Sequence, residues 1–453
     1  MRDIVILLLL GVFMWNCGGE QKASQVEFNT NYQKDMANPE RFHQTMKQLT
    51  DIIVHDIFSP PVASRIYAYP SIAAYEAIVH DHPEYQTLAD QLTDLDPLPQ
   101  PKVDEEYCFP LASLQAFMLT AKTFIFSEDK MEKYQSILMQ EVDSLNLPKE
   151  VKERSIAFGN EVANHILAWA DTDNYKETRT FPKYSINDDP GKWKPTPPSY
   201  MDGIEPHWRE IRPFVLDSAT QFVPLPPTEF STDKRSKFFK ETMEVYEALE
   251  QDTDDRVAIA QFWDCNPYTS HTYGHVMYAT KKITPGGHWI GITQIACKQA
   301  DADFMRTVQA YALTSIALAD GFISCWDEKY RSKLVRPETY INEHIDEDWA
   351  PILQTPPFPE HTSGHSVISR AAAVVLSSLF GESFAFEDTT ELEYGLPMRA
   401  YDSFIQASEE AAVSRLYGGI HYRPAIDYGV QQGDEVGTFI IENIQMKSQL
   451  GSK

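Results

Sequence analysis

Three short patterns in the C-terminal third gather residue types that hold and work on a small oxyanion. They are Lys329-x6-Arg336-Pro337, Thr362-Ser363-Gly364-His365 and Ser414-Arg415-x5-His421. Lys329, Arg336 and Arg415 bring positive charge, and the two guanidiniums present planar forks of N–H donors. Ser363 adds a hydroxyl. Gly364 adds a backbone N–H at the start of a helical run, where the helix dipole also favours an anion. Its missing side chain lets the backbone approach closely. His365 and His421 can ligate, attack or carry a proton at neutral pH. Singly, each residue has a plain structural reading: a surface charge, a helix start, a salt-bridge partner or a packed histidine. Together, in this order, they read as one anion site with proton-handling groups beside it.

The rest of the composition sharpens that reading. The 453 residues are 43% hydrophobic and 23% charged, as in an ordinary globular chain, and the net charge is −27. Such a surface repels nucleic acid and acidic membranes, so both are excluded as partners. An acidic chain that binds a small anion must concentrate its cations locally, which gives the Lys/Arg cluster more weight. Cys108, Cys265, Cys297 and Cys325 show no CxxC or Cys/His metal spacing, so the sequence indicates no zinc site. Their pairing is left open.

The elements that must position these groups are helical. Residues 40–58 place Phe42, Met46, Leu49, Ile52, Ile53 and Ile57 at helical spacing. Segments 64–80, 108–126, 128–145, 149–171, 233–249, 303–327, 364–380, 399–417 and 426–446 read alike, and period-2 strands are scarce. The expected fold is all-α, built from helix bundles. Residues 180–232, rich in Pro and aromatics and containing Trp193 and Trp208, read as an ordered segment crossing between bundles. Ala371 to Phe380 is the most apolar stretch after the N-terminus and reads as a core helix.

The N-terminus reads as a targeting segment. Arg2 precedes an apolar run from Ile4 to Trp15, shorter than the roughly 20 residues that span a bilayer. Cys17-Gly18-Gly19 follows, which resembles a bacterial lipoprotein signal with Cys17 as the acylated residue. The expectation is an exported, cell-envelope lipoprotein held to the membrane by lipid alone: signal 1–17, polar tether 18–38, and one helical domain over 39–448.

The trio of patterns resembles the signature shared by vanadium-dependent haloperoxidases and type 2 phosphatidic-acid-phosphatase-like enzymes. Trp193-Lys194-Pro195-Thr196-Pro197-Pro198, Trp208, Arg212-Pro213-Phe214 and Pro285-Gly286-Gly287-His288-Trp289 are similar to segments of bacterial vanadium haloperoxidases. The resemblance is strongest to bacterial vanadium-dependent iodoperoxidases of marine flavobacteria. Two positions depart from the superfamily pattern. Thr362 stands where proline is usual, and Ala425 stands where many phosphatases place an acid four residues after the last histidine. The second departure argues against phosphatase chemistry.

The resemblance implies two four-helix bundles, with a vanadate site in the second, over residues 326–427. It makes His421 Nε2 the protein ligand to vanadium, with Lys329, Arg336, Ser363, Gly364, His365 and Arg415 around the oxyanion. It gives His365 the acid–base role and Lys329 that of polarising a peroxide oxygen. The substrates implied are hydrogen peroxide and a halide, iodide before bromide, with small organic acceptors downstream. Trp326, Phe358, Tyr268 and His361 are the expected halide-pocket residues. Two other readings compete: an acid phosphatase with His421 as nucleophile, and a non-catalytic oxyanion-binding lipoprotein.

Overall fold

The computed structural model describes residues 31–250, 254–273 and 275–447, and the targeting segment with Cys17 lies outside them. The chain is 58% helix and 4% strand. In the N-terminal half the helices are α1 (Tyr32–Met36), α2 (Pro39–Asp56), α3 (Pro60–Ile78), α4 (Phe109–Phe124), α5 (Glu128–Ser144), α6 (Lys149–Ala170) and α7 (Tyr175–Thr178). After the crossing segment come α8 (Lys237–Glu250), α9 (Asp254–Phe262), α10 (Pro285–Gln299), α11 (Phe304–Ser332), α12 (Pro337–His344), α13 (Gly364–Phe380), α14 (Phe404–Tyr417) and α15 (Arg423–Asn443). Two small antiparallel hairpins interrupt them: β1 (Thr269–Tyr273) with β2 (Val276–Thr280), and β3 (Phe386–Asp388) with β4 (Arg399–Tyr401).

Helix α11 is the axis of the molecule. It packs on α3 on one side and on α13 and α15 on the other. Every residue from Thr307 to Tyr330 is buried, so the helix has no solvent face. It is long and apolar enough to cross a membrane, but its apolar window is 100% buried within the protein, which makes it a shared core helix. The N-terminal group (α3, α4, α6) and the C-terminal group (α13, α14, α15) therefore join in one hydrophobic core running from Tyr32 to Met446.

The crossing segment is tied to α11 by hydrogen bonds rather than by regular structure. Asp320 accepts from the backbone N–H groups of Phe214, Val215 and Leu216 at 2.7, 2.8 and 3.1 Å. Ile204 O accepts from Trp326 Nε1 at 3.2 Å and from the Tyr330 hydroxyl at 2.5 Å. Trp193 and Trp208 are buried. This ordered crossing is the one the sequence suggested.

Helix ends depart from expectation where local signals were weak. Helix α11 continues to Ser332, beyond the expected 327, and stops where Lys333 turns left-handed at φ 52°. The extension places Lys329 inside the helix, one turn after Trp326. Helix α10 starts at the Pro-Gly-Gly-His segment, whose glycines argue against helix. Thr284 caps it by accepting from Gly287 N, Pro285 occupies its start, and burial of the whole first turn outweighs the poor propensity. Helices α9 and α12 are short and were not expected. Residues 399–401 form β4 instead of the first turn of α14, because they pair with β3. The four cysteines are free and buried.

Candidate active site

Helix starts and ends bring the three patterns together. Ser363 is the N-cap of α13 and accepts from Ser366 N at 3.3 Å, which puts Gly364 and His365 in the first turn. Arg336 is the N-cap residue of α12. Arg415 sits in the last turn of α14, and His421 in the short link to α15. Lys329, Arg336, Ser363, Arg415 and His421 are all buried.

Each cation is already engaged by backbone oxygens. Lys329 Nζ donates to the carbonyls of Pro359 and Glu360 at 3.1 Å each, and to Thr362 O at 2.5 Å. Burial pushes this lysine down to about 8. Three acceptors take all three ammonium donors, so it stays charged at neutral pH. In this arrangement it offers an anion its charge rather than a direct hydrogen bond. Arg336 donates from Nε to Phe358 O (2.9 Å), and from Nη1 to Ile420 O (2.8 Å) and His421 Nε2 (3.1 Å). Its Nη2 is buried without a partner. Arg415 Nη2 donates to Trp263 O at 2.7 Å.

The two histidines are set in opposite senses. His421 Nδ1 donates to Glu360 Oε1 at 2.8 Å, so Nε2 carries the lone pair that Arg336 meets. Glu360 Oε1 also accepts from Tyr422 N at 2.9 Å. His365 Nε2 faces Trp263 O at 3.0 Å. A carbonyl can only accept, so Nε2 holds the proton and Nδ1 is the basic atom. Both histidines are held well below their ordinary value, His421 by burial and then Arg336, His365 by burial and then Arg415. Both are neutral at pH 7.

Gly364, His365, Arg415 and His421 border a cavity of about 250 Å³. Trp326, Phe358 and Tyr268 line it too, with Phe322, Ile204 and prolines 356 and 357. The rings of Trp326 and Phe358 lie 5.0 Å apart. Lys329 Nζ stands 5.0 Å and Arg336 Cζ 5.1 Å from the Phe358 centroid, so two cations face one ring.

His361 corrects an expectation. It does not line the cavity; its Nε2 donates to Leu225 O at 3.0 Å and its ring meets Tyr428 edge-on. Consecutive residues diverge here, with Glu360 turned toward His421 and His361 turned away. The sequence reading missed Glu360 altogether. Its one signal was a lone acid closing the run Pro356-Pro357-Phe358-Pro359. It holds His421 Nδ1 as an orienting carboxylate does, so the lack of an acid at Ala425 no longer counts against phosphoryl transfer. Thr362 precedes the cap rather than forming it, and its hydroxyl donates to Gln432 Oε1 at 2.8 Å.

A family model described as the VCPO second helical-bundle domain matches residues 342–449. The chain is 51% identical to a bacterial vanadium-dependent iodoperoxidase of solved structure, covering 91% of this chain and 98% of that one, with a TM-score of 0.87. A holo-type bacterial vanadium-dependent chloroperoxidase shares the fold at 16% identity, over 86% of this chain and 93% of that one, with a TM-score of 0.61. No curated protein matches.

The residues present fit vanadate. Lys329 and Arg336 act on Glu360, and Arg415 acts on Asp264, which also borders the cavity, so three buried cations outnumber two carboxylates and leave positive charge for an oxyanion to neutralise. Arg336 Nη2 is a buried donor lacking an acceptor. His421 offers an unprotonated Nε2, backed by a carboxylate on Nδ1, which is how histidines that bind metals are oriented. On this site and the 51% identity across nearly the whole chain, the protein belongs to the vanadium-dependent haloperoxidase family, with vanadate as its cofactor.

Proposed function

We propose that this haloperoxidase oxidises iodide with hydrogen peroxide, in preference to bromide, and that the residues of the cradle divide the work as follows. His421 holds vanadium through Nε2. Arg336, Arg415, Ser363 and the Gly364 N–H hold the oxyanion, and Lys329 adds charge. Bound vanadate supplies a Lewis acid that activates peroxide without a change of oxidation state. His365 takes a proton from peroxide at Nδ1, while Nε2 stays donated to Trp263 O. The aromatic wall excludes water from the halide.

The observation that carries the halide choice is Phe358, packed on Trp326 and faced by Lys329 and Arg336. An apolar, polarisable wall beside fixed cations suits the halide that is easiest to dehydrate and to oxidise, which is iodide. The relative of solved structure at 51% identity is an iodoperoxidase, which supports the same choice.

The test is steady-state halide oxidation by vanadate-loaded protein. Iodide is expected well ahead of bromide, with negligible chloride turnover; comparable chloride turnover would overturn the choice. His421→Ala should lose vanadium and all activity. His365→Ala should retain vanadium while kcat falls by about 10²–10⁴-fold. The Glu360–His421 pair also suits a nucleophilic histidine, so phosphate-monoester hydrolysis is assayed alongside. Brisk hydrolysis with no halide oxidation after vanadate loading would favour the phosphatase reading instead.

A further inference from the structure

Cys265 borders the cavity, and behind it stand His288, in the first turn of α10, and Glu391, in the loop after β3. All three are buried, and one donor atom from each lies within 4.8 Å of the others. Cys265 Sγ is 3.3 Å from His288 Nδ1, and His288 Nδ1 is 3.5 Å from Glu391 Oε1. These separations match the edges of about 3.3–3.5 Å that a tetrahedral ion imposes with bonds of about 2.0 Å to N or O and about 2.3 Å to S. Across the imidazole, Nε2 meets Asp388 Oδ2 and Thr390 Oγ1 at 2.7 Å each, so Nδ1 is the nitrogen that faces the thiol and Glu391 and the one that can ligate once it gives up its proton. Neither carboxylate oxygen of Glu391 has a hydrogen-bond partner, although the side chain is 0% exposed. A carboxylate so placed is costly unless a cation meets it.

We propose that Cys265, His288 and Glu391 bind a divalent cation of the zinc class, with Asp388 orienting His288 as a positioning residue. Thiolate with imidazole selects such an ion. This cluster is distinct from the vanadate cradle and opposite in sign, because thiolate and carboxylate repel an oxyanion. The ion would tie three distant segments together. Trp263, two residues before Cys265, stacks its indole on His288 at 4.4 Å and lends its carbonyl to His365 and Arg415. The cation thus anchors the turn that fixes the tautomer of His365. It also withholds the thiol from oxidant generated in the adjoining cavity.

The test uses the whole chain, stripped with a chelator and reloaded with Zn²⁺ alone or Co²⁺ alone, with vanadium measured in parallel. Elemental analysis should find about one zinc per chain, and the cobalt form should show a thiolate-to-metal charge-transfer band. Cys265→Ser should abolish that band. The nearly isosteric Glu391→Gln should weaken zinc binding, and Asp388→Asn should weaken it by about 10–100-fold. Circular dichroism checks that each variant is folded, and vanadium loading should be unchanged by added zinc. Failure of folded wild type to bind zinc, a cobalt spectrum without the thiolate band, or wild-type zinc affinity in Glu391→Gln would each overturn the proposal. Displacement of zinc by vanadate would overturn it as well, by placing the oxyanion in the cluster.

Discussion

The hydrogen bond from His421 Nδ1 to Glu360 sets which nitrogen of His421 can bind a metal. Glu360→Gln keeps the shape of the side chain but removes its charge, and its amide can meet Nδ1 through either end. Vanadium retention in dialysis should then fall by about 10–100-fold, the range for partners that orient a ligating histidine. Halide oxidation at saturating vanadate should recover in part, which separates positioning from catalysis. Unchanged vanadium affinity in Glu360→Gln would show that the pair does not orient the ligand. No spacing rule reveals this carboxylate, because it reaches His421 across 61 residues. The cations and histidines, by contrast, were legible at once from type and spacing.

Helices α13 and α15 meet along Gly429, Gly433 and Gly437, one helical turn apart on α15. A side chain at Gly433 would place its Cβ 2.2 Å from Val367 O on α13, and one at Gly429 would lie 3.1 Å from Ser363 O. The start of α13 carries Ser363 as its cap and then Gly364 and His365, so this close approach sets the position of three cradle residues. Gly433→Ala should destabilise the fold by about 1–3 kcal/mol or more through overpacking, read as a lower denaturant midpoint. It should also loosen vanadium binding. An unchanged midpoint would mean that the helices have room to separate. Both helices were readable from their apolar period. The glycine stripe that holds them was not, since propensity alone marks those glycines as weak points.

Several buried histidines couple the stability of the whole molecule to pH. Burial lowers His43 and His361 to about 4, and holds His365 and His421 well below the ordinary value of 6.5. At these histidines the unfolded chain therefore binds more protons than the folded one below pH 6.5, while Glu76, Glu328 and Glu360, pushed up to about 7 by burial, act in the opposite sense. Each such histidine should take about 1.4 kcal/mol per pH unit from the unfolding free energy as pH drops below 6.5 toward its folded value. His361 donates through Nε2 to Leu225 O and leaves Nδ1 buried without a partner, so its protonation has no acceptor to offset it. His361→Gln should flatten the acid limb of a stability–pH profile without changing halide oxidation. A profile as steep as that of wild type would count against the assignment.

The donor set, the helical class and the acidic surface around a local knot of cations were determined by the sequence itself. Residue type fixes charge and proton chemistry, and the helical period fixes which neighbours share a face. Tertiary structure decided the remainder. It chose Glu360 over any acid near Ala425, occupied the donors of Lys329 with the carbonyls of Pro359, Glu360 and Thr362, and turned His361 out of the cavity. It also brought Cys265, His288 and Glu391 together. Those outcomes depend on the paths of loops between helices, where no period constrains the chain and burial of distant partners decides which side chains meet.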